Sequence, residues 1–110
     1  MTEATLTRHI QAALREAGAW VYKTHGSALT RAGVPDLLVC YQGRFIGLEV
    51  KGPRGVMEPR QLVEMAALVR AGGRALVVKS VEEALRALSE PNVVVMNHFT
   101  KSSASQNAER

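Results

Sequence analysis

Residues 36–51 read DLLVCYQGRFIGLEVK, and the alternation of side chains within this stretch decides how the chain folds. Two β-prone runs, Asp36 to Tyr41 and Arg44 to Lys51, flank Gln42-Gly43, so the stretch predicts an antiparallel hairpin. A symmetric turn centred on Gln42-Gly43 opposes Tyr41 to Arg44 and, counting outward, Asp36 to Glu49. A three-residue loop would slip that register by one, and Gln-Gly is a weaker turn signal than Asn-Gly. In the symmetric register Leu37, Val39, Ile46, Leu48 and Val50 share one face, which is apolar throughout and requires a helix packed over it. Asp36, Glu49 and Lys51 share the other, and Asp36 is the only aspartate in the chain. Directly opposed Cβ atoms lie roughly 4.5–5.5 Å apart, where like charges repel. Two carboxylates placed there need a compensating charge, and a hard divalent cation with a preference for oxygen ligands supplies it.

Outward from the hairpin, the spacing of Leu6, Ile10, Ala13, Leu14 and Ala17 predicts a helix over Glu3 to Ala17, ended by Gly18. Glu3 lies on the apolar side of that helix, as either a first-turn acid complementing the dipole or a group near the metal. Trp20-Val21-Tyr22 is a short strand, with both aromatics expected in the core. The polar segments around His25 and Arg31 read as loop. After Lys51, Gly52-Pro53-Arg54-Gly55 breaks the strand, and Pro59 opens a helix with Leu62, Met65, Ala66 and Val69 as its buried stripe, closed by Gly72-Gly73. Gln61 sits at the edge of that stripe. Arg74 to Lys79 predicts a strand covered on both faces. Ser80 with Glu83 forms a capping box for a helix presenting Val81, Ala84, Leu85 and Leu88, stopped by Pro91. Val93 to Met96 suggests a last strand. The order is that of an α/β sandwich with a mixed central sheet flanked by helices, a single domain over residues 1–100, with 101–110 a polar, disordered tail.

The 110 residues carry 14 Lys plus Arg against 10 Asp plus Glu, and 46% hydrophobic content excludes a disordered chain. Most of the cations are arginines, whose planar fork suits phosphate oxygens, so the balance is compatible with a nucleic-acid partner. Cys40 is expected buried in an apolar run, and one cysteine makes neither an intramolecular disulfide nor a cysteine-based zinc site. No stretch reaches the roughly 18 apolar residues of a membrane span, and the expected compartment is the cytoplasm. Lys23, His25, Arg31, Arg54 and Arg60 adjoin the predicted site and are candidate phosphate contacts. Neither His25 nor His98 sits in a recognisable metal-ligand pair.

Gly33-Val34-Pro35-Asp36, thirteen positions ahead of Glu49-Val50-Lys51, resembles the PD-(D/E)XK nuclease signature, and its VRR-NUC branch above all. The resemblance covers roughly residues 3 to 85, including the leading helix with Glu3 and the Pro59-Arg60-Gln61 helix opening. It implies a restriction-endonuclease-like αβββαβ core of the stand-alone bacterial or phage type. It also implies a Mg²⁺- or Mn²⁺-dependent endonuclease acting on DNA, in which Asp36, Glu49 and the Val50 carbonyl hold the metal. Lys51 would orient or activate the attacking water, with Gln61 and Glu3 as supporting members of the catalytic set. Branched substrates such as four-way (Holliday) junctions, and a homodimer providing two sites for two cuts, are expected on the same ground. The rival readings are a non-catalytic nucleic-acid-binding module of this fold and a structural protein whose carboxylates form surface ion pairs.

Overall fold

The computed structural model describes residues 1–26 and 30–90. Seven elements follow in the order α1 (Glu3–Glu16), β1 (Trp20–Lys23), β2 (Leu37–Tyr41), β3 (Arg44–Val50), α2 (Pro59–Arg70), β4 (Arg74–Val78) and α3 (Val81–Ala87). The anticipated strand over Val93–Met96, the stop at Pro91, the tail and His98 lie outside the described residues.

The strands form one mixed sheet, β1-β2-β3-β4, antiparallel across β1–β2 and β2–β3 and parallel across β3–β4. The hairpin has the symmetric register, Tyr41 against Arg44 and Leu37 against Leu48. Its turn is two residues long, with φ 49° at Gln42 and 81° at Gly43. Two successive positive φ values are the mark of a type I′ turn, whose twist matches the strands it joins.

The apolar face predicted for the hairpin is the core. Leu37, Val39, Ile46 and Leu48 are wholly buried, joined by Ile10 and Leu14 of α1 and by Ala84 and Ala87 of α3. Each aliphatic side chain of this size contributes roughly 1.5–3 kcal/mol by leaving water. Thr2 caps α1 by accepting the Thr5 N–H at 3.1 Å. At the other end Gly18 has φ +98° and Ala19 N–H donates to the Leu14 carbonyl, so the chain turns sharply into β1.

On the second face α2 lies over the β3–β4 half. Gly47 permits it: a Cβ there would stand 2.9 Å from Leu68 Cδ2 and 2.8 Å from Pro35 Cγ. The predicted stripe of α2 is shallower than expected, because only Met65 is fully buried and Leu68 takes part in the packing. The β1–β2 half of the face has no described helix above it. This corrects two expectations: Trp20 and Tyr22 are 59% and 50% exposed, and Cys40 is exposed too. α3 is also rotated relative to its predicted stripe, burying Ala87 and leaving Leu85 at the surface. Its N-terminal box is displaced by one residue: Ser80 Oγ accepts the Glu83 N–H, while Glu83 Oε1 accepts the N–H of Lys79.

Arg74, at the start of β4, is buried, and its three guanidinium nitrogens have no hydrogen-bond partner among the described residues. Burial, then the neighbouring Arg44, lowers its pKa, while Glu90 acts to raise it.

Gly33 fixes the loop that leads to Asp36 against the first turn of α2. Its φ is +89°, and a Cβ would fall 2.4 Å from the Arg60 carbonyl oxygen. Gly33→Ala is expected to cost about 1–3 kcal/mol, combining a left-handed backbone with the clash. Gly26→Ala, where a Cβ meets nothing within 4 Å among the described residues, is expected to be near neutral. Thermal denaturation of the two variants checks this, and equal melting temperatures would contradict it.

Candidate active site

Asp36 stands just before β2, at the point where Thr24 grips the strand from the other side. Thr24 N–H donates to the Asp36 carbonyl at 2.9 Å and Thr24 Oγ1 to the Pro35 carbonyl at 2.8 Å. With its backbone fixed, the Asp36 carboxylate reaches across the hairpin, and Oδ2 accepts the Val50 N–H at 2.9 Å. Val50 itself is buried on the core side, as the alternation predicted.

Glu49 is 2% exposed. Its Oε2 accepts a hydrogen bond of 2.7 Å from Gln61 Nε2, and Lys51 Nζ lies 3.8 Å from the same oxygen. Its Oε1 is buried without a hydrogen-bond partner among the described residues. Burial first, and then the neighbouring Asp36, raise the Glu49 pKa to about 8, against the pull of Lys51. The hairpin thus brings two carboxyl groups close enough to interact, one of them dry, with the Lys51 ammonium beside Glu49.

Gln61 is the link between this pair and α2. Its Oε1 accepts the Glu58 N–H at 2.8 Å while its Nε2 serves Glu49, so both ends of the amide are committed and its orientation is set. Glu3 is placed differently. Its Oε2 accepts the Gly52 N–H at 3.1 Å, so the start of α1 holds the turn that follows Lys51. That turn closes through Gly55 N–H to the Gly52 carbonyl, and it packs so closely on the lysine stem that a Cβ at Gly55 would sit 2.9 Å from Lys51 Cβ. Lys51 is held from both sides.

The proposed phosphate contacts are less uniform. His25, Arg54 and Arg60 are exposed in the segments flanking the site. Lys23 is half-buried and donates to the Thr24 carbonyl. Arg31 is engaged in a paired contact with Glu64 of α2, with both N···O distances 3.0 Å. The Thr24 clamp on Asp36 was not read from the sequence. It depends on the pairing of β1 with β2, for which a four-residue strand gives little signal.

Among the described residues no cluster of three or more His, Cys, Asp or Glu side chains could hold a metal. The donor set is instead two carboxylates, which with a main-chain carbonyl suits a hard cation that retains water. The buried, unpartnered Glu49 Oε1 and the elevated pKa of that carboxyl fit such an ion, because a cation would satisfy the oxygen and displace the proton.

An α/β fold with this hairpin, and acids and a lysine where β3 ends, defines a nuclease-type architecture. The chain is similar to a solved structure described as a VRR_NUC domain, with a TM-score of 0.64 and 27% identity, over 76% of this chain and 90% of that one. It also shares its fold with the Holliday junction resolvase Hjc of Archaeoglobus fulgidus, with a TM-score of 0.57 and 17% identity, over 70% of this chain and 67% of that one. The resemblance read from the sequence therefore stands: the fold is that of the PD-(D/E)XK nucleases, with a VRR_NUC domain among its neighbours. No family model matches the sequence, and neither does any curated protein.

The raised Glu49 pKa has a definite sign in stability. Between about pH 4.5 and 8 the folded protein retains a proton that the unfolded chain releases, so without metal this group's contribution declines as pH rises through that window. Glu49→Gln is expected to remove that component. Denaturant titrations of both proteins in EDTA across the window check it, and parallel pH profiles would count against it.

Proposed function

We propose that the chain is a divalent-metal-dependent endonuclease that hydrolyses phosphodiester bonds of DNA. The observation that carries this reading is a buried Glu49 beside Asp36, with its Oε1 lacking a hydrogen-bond partner among the described residues. Asp36, Glu49 and the Val50 carbonyl would hold Mg²⁺ or Mn²⁺. When bound, such an ion supplies positive charge that polarises the phosphoryl group and acidifies water.

The chain's own residues do the rest. Asp36 is aimed by the Val50 N–H bonded to its Oδ2, and Glu49 by Gln61, so neither carboxylate has to reorganise when substrate arrives. Lys51, with its ammonium 3.8 Å from Glu49, orients the attacking water and stabilises charge developing on the phosphoryl oxygens. Glu3 is a positioning residue that acts on Lys51 through the Gly52 N–H. His25, Arg54 and Arg60 place the DNA backbone by phosphate contacts, with Lys23 and Arg31 at the margin of that surface.

The substrate proposed is branched DNA, four-way junctions above all. The similar Hjc is a Holliday junction resolvase, and one site per chain suits a homodimer that cuts two strands. No helix among the described residues is long and apolar enough to cross a membrane.

Labelled four-way junction, flap and linear duplex, each incubated with Mg²⁺, Mn²⁺ or EDTA, test the proposal. Cleavage of the junction in metal and its loss in EDTA are expected. Lys51→Ala is expected to lower the rate on the order of 10²–10³-fold while leaving DNA binding intact. Binding without metal-dependent cleavage would reassign the chain as a non-catalytic binding module, and no binding in dilute salt would remove DNA from the account.

A further inference from the structure

The half of the sheet face that α2 leaves open carries large aromatic rings beside the site. Tyr22 pairs with Leu38, which pairs with Gly47, two residues before Glu49 on β3. Trp20 pairs with Cys40, which pairs with the half-exposed Phe45. Paired residues share a face, so Trp20 and Tyr22 lie on the same side of the sheet as Glu49 and Lys51. Leu38 follows Asp36 by two residues, roughly 7 Å along the strand. The aromatic strip therefore begins next to the acidic pair and runs away from it along β1.

The two rings are nearly parallel, 13° between planes, with centroids 6.3 Å apart. Trp20 and Tyr22 are 59% and 50% exposed, so the stacked pair presents a large aromatic surface to solvent. Among the described residues β1 is also an edge strand, and two cations reach that edge. The guanidinium of Arg15 reaches from α1 to the Val21 carbonyl, between the two aromatic positions, at 3.1 Å. Lys23 pairs with Leu37 and so starts from the α1 side of the sheet, donating to the Thr24 carbonyl at the end of β1 nearest Asp36. Both bind only main-chain carbonyls, and neither belongs to an ion pair among the described residues. Stackable rings on one face of an edge, with cations reaching that edge from the other face, can hold single-stranded nucleic acid that lies over the edge, with bases on the rings and phosphates on the cations.

We propose that Trp20 and Tyr22 are a stacking platform for unpaired bases of DNA next to the cleaved phosphate, with Arg15 and Lys23 taking the flanking phosphates. The proposal rests on the nuclease reading above and deepens it: the site takes DNA with a single-stranded segment beside the scissile bond, as at a branch point. Charge favours this occupant over a second copy of the chain, which carries the same cations on the same edge and would bring them together.

Trp20 is the only tryptophan, so its emission reports directly on the platform. The full chain in EDTA, where cleavage cannot occur, is titrated with end-labelled oligothymidylate and with blunt duplex of equal length. Anisotropy reports binding and tryptophan emission reports contact. Oligothymidylate is expected to quench Trp20, and Trp20→Ala or Tyr22→Ala to weaken its binding by about tenfold, with Trp20→Phe retaining most of the affinity. Should Trp20→Ala fail to fold, quenching in the native chain and the affinity of Tyr22→Ala decide the matter.

Bound oligothymidylate with unchanged emission overturns the platform and leaves the nuclease reading intact. Absence of binding to either DNA overturns both. Emission that follows protein concentration alone, together with a sedimentation coefficient that falls in Trp20→Ala, assigns the strip to a second copy and also overturns the proposal.

Discussion

Two carboxyl groups pressed together at the open end of a hairpin set the conditions for the whole site. In water the pair would separate, but here Asp36 is held by Thr24 at its backbone and by the Val50 N–H at its carboxylate, and Glu49 by its place in β3 and by Gln61. The repulsion appears instead as protonation, with Glu49 raised to about 8 by burial and by Asp36. The arrangement persists because the hairpin core, Leu37, Val39, Ile46 and Leu48, is wholly buried and would be exposed by any slip of register. Core burial thus stabilises a locally unfavourable charge arrangement.

The supports around the pair come from segments distant in the chain, and each depends on a specific close approach. Gly33 allows the loop before Asp36 to lie against the Arg60 carbonyl, and Gly47 allows Leu68 and Pro35 to close on β3. These contacts seat the first turn of α2 so that Gln61 meets Glu49. From the other layer, Glu3 at the start of α1 takes the Gly52 N–H. Two helix N-termini therefore converge on the end of β3, where their partial positive charge opposes the local concentration of acid.

The two faces of the sheet have different tasks. One is continuous with α1 and α3 and is the core. The other is divided between α2 and an uncovered aromatic half, so that the acids sit on a boundary between packed protein and open surface. A site on such a boundary combines rigid side chains with access for a polymeric substrate.

The alternating pattern of residues 36–51 was enough to indicate the hairpin and its buried face, because strand periodicity is a local property, while the choice of the symmetric register over a one-residue slip was made by the two-residue turn at Gln42-Gly43. The helices and their order were legible for the same reason, through Gly18, Pro59 and Ser80 at their ends. The tertiary structure alone decided which second-face residues are covered. Trp20, Tyr22 and Cys40 have the composition of a core strand, yet exposure depends on where α2 comes to rest, and no local pattern encodes that. The same holds for Gln61 on Glu49, Glu3 on Gly52 and Thr24 on Asp36. Each is a contact between segments far apart in sequence, and it exists only once the sheet and its helices have packed.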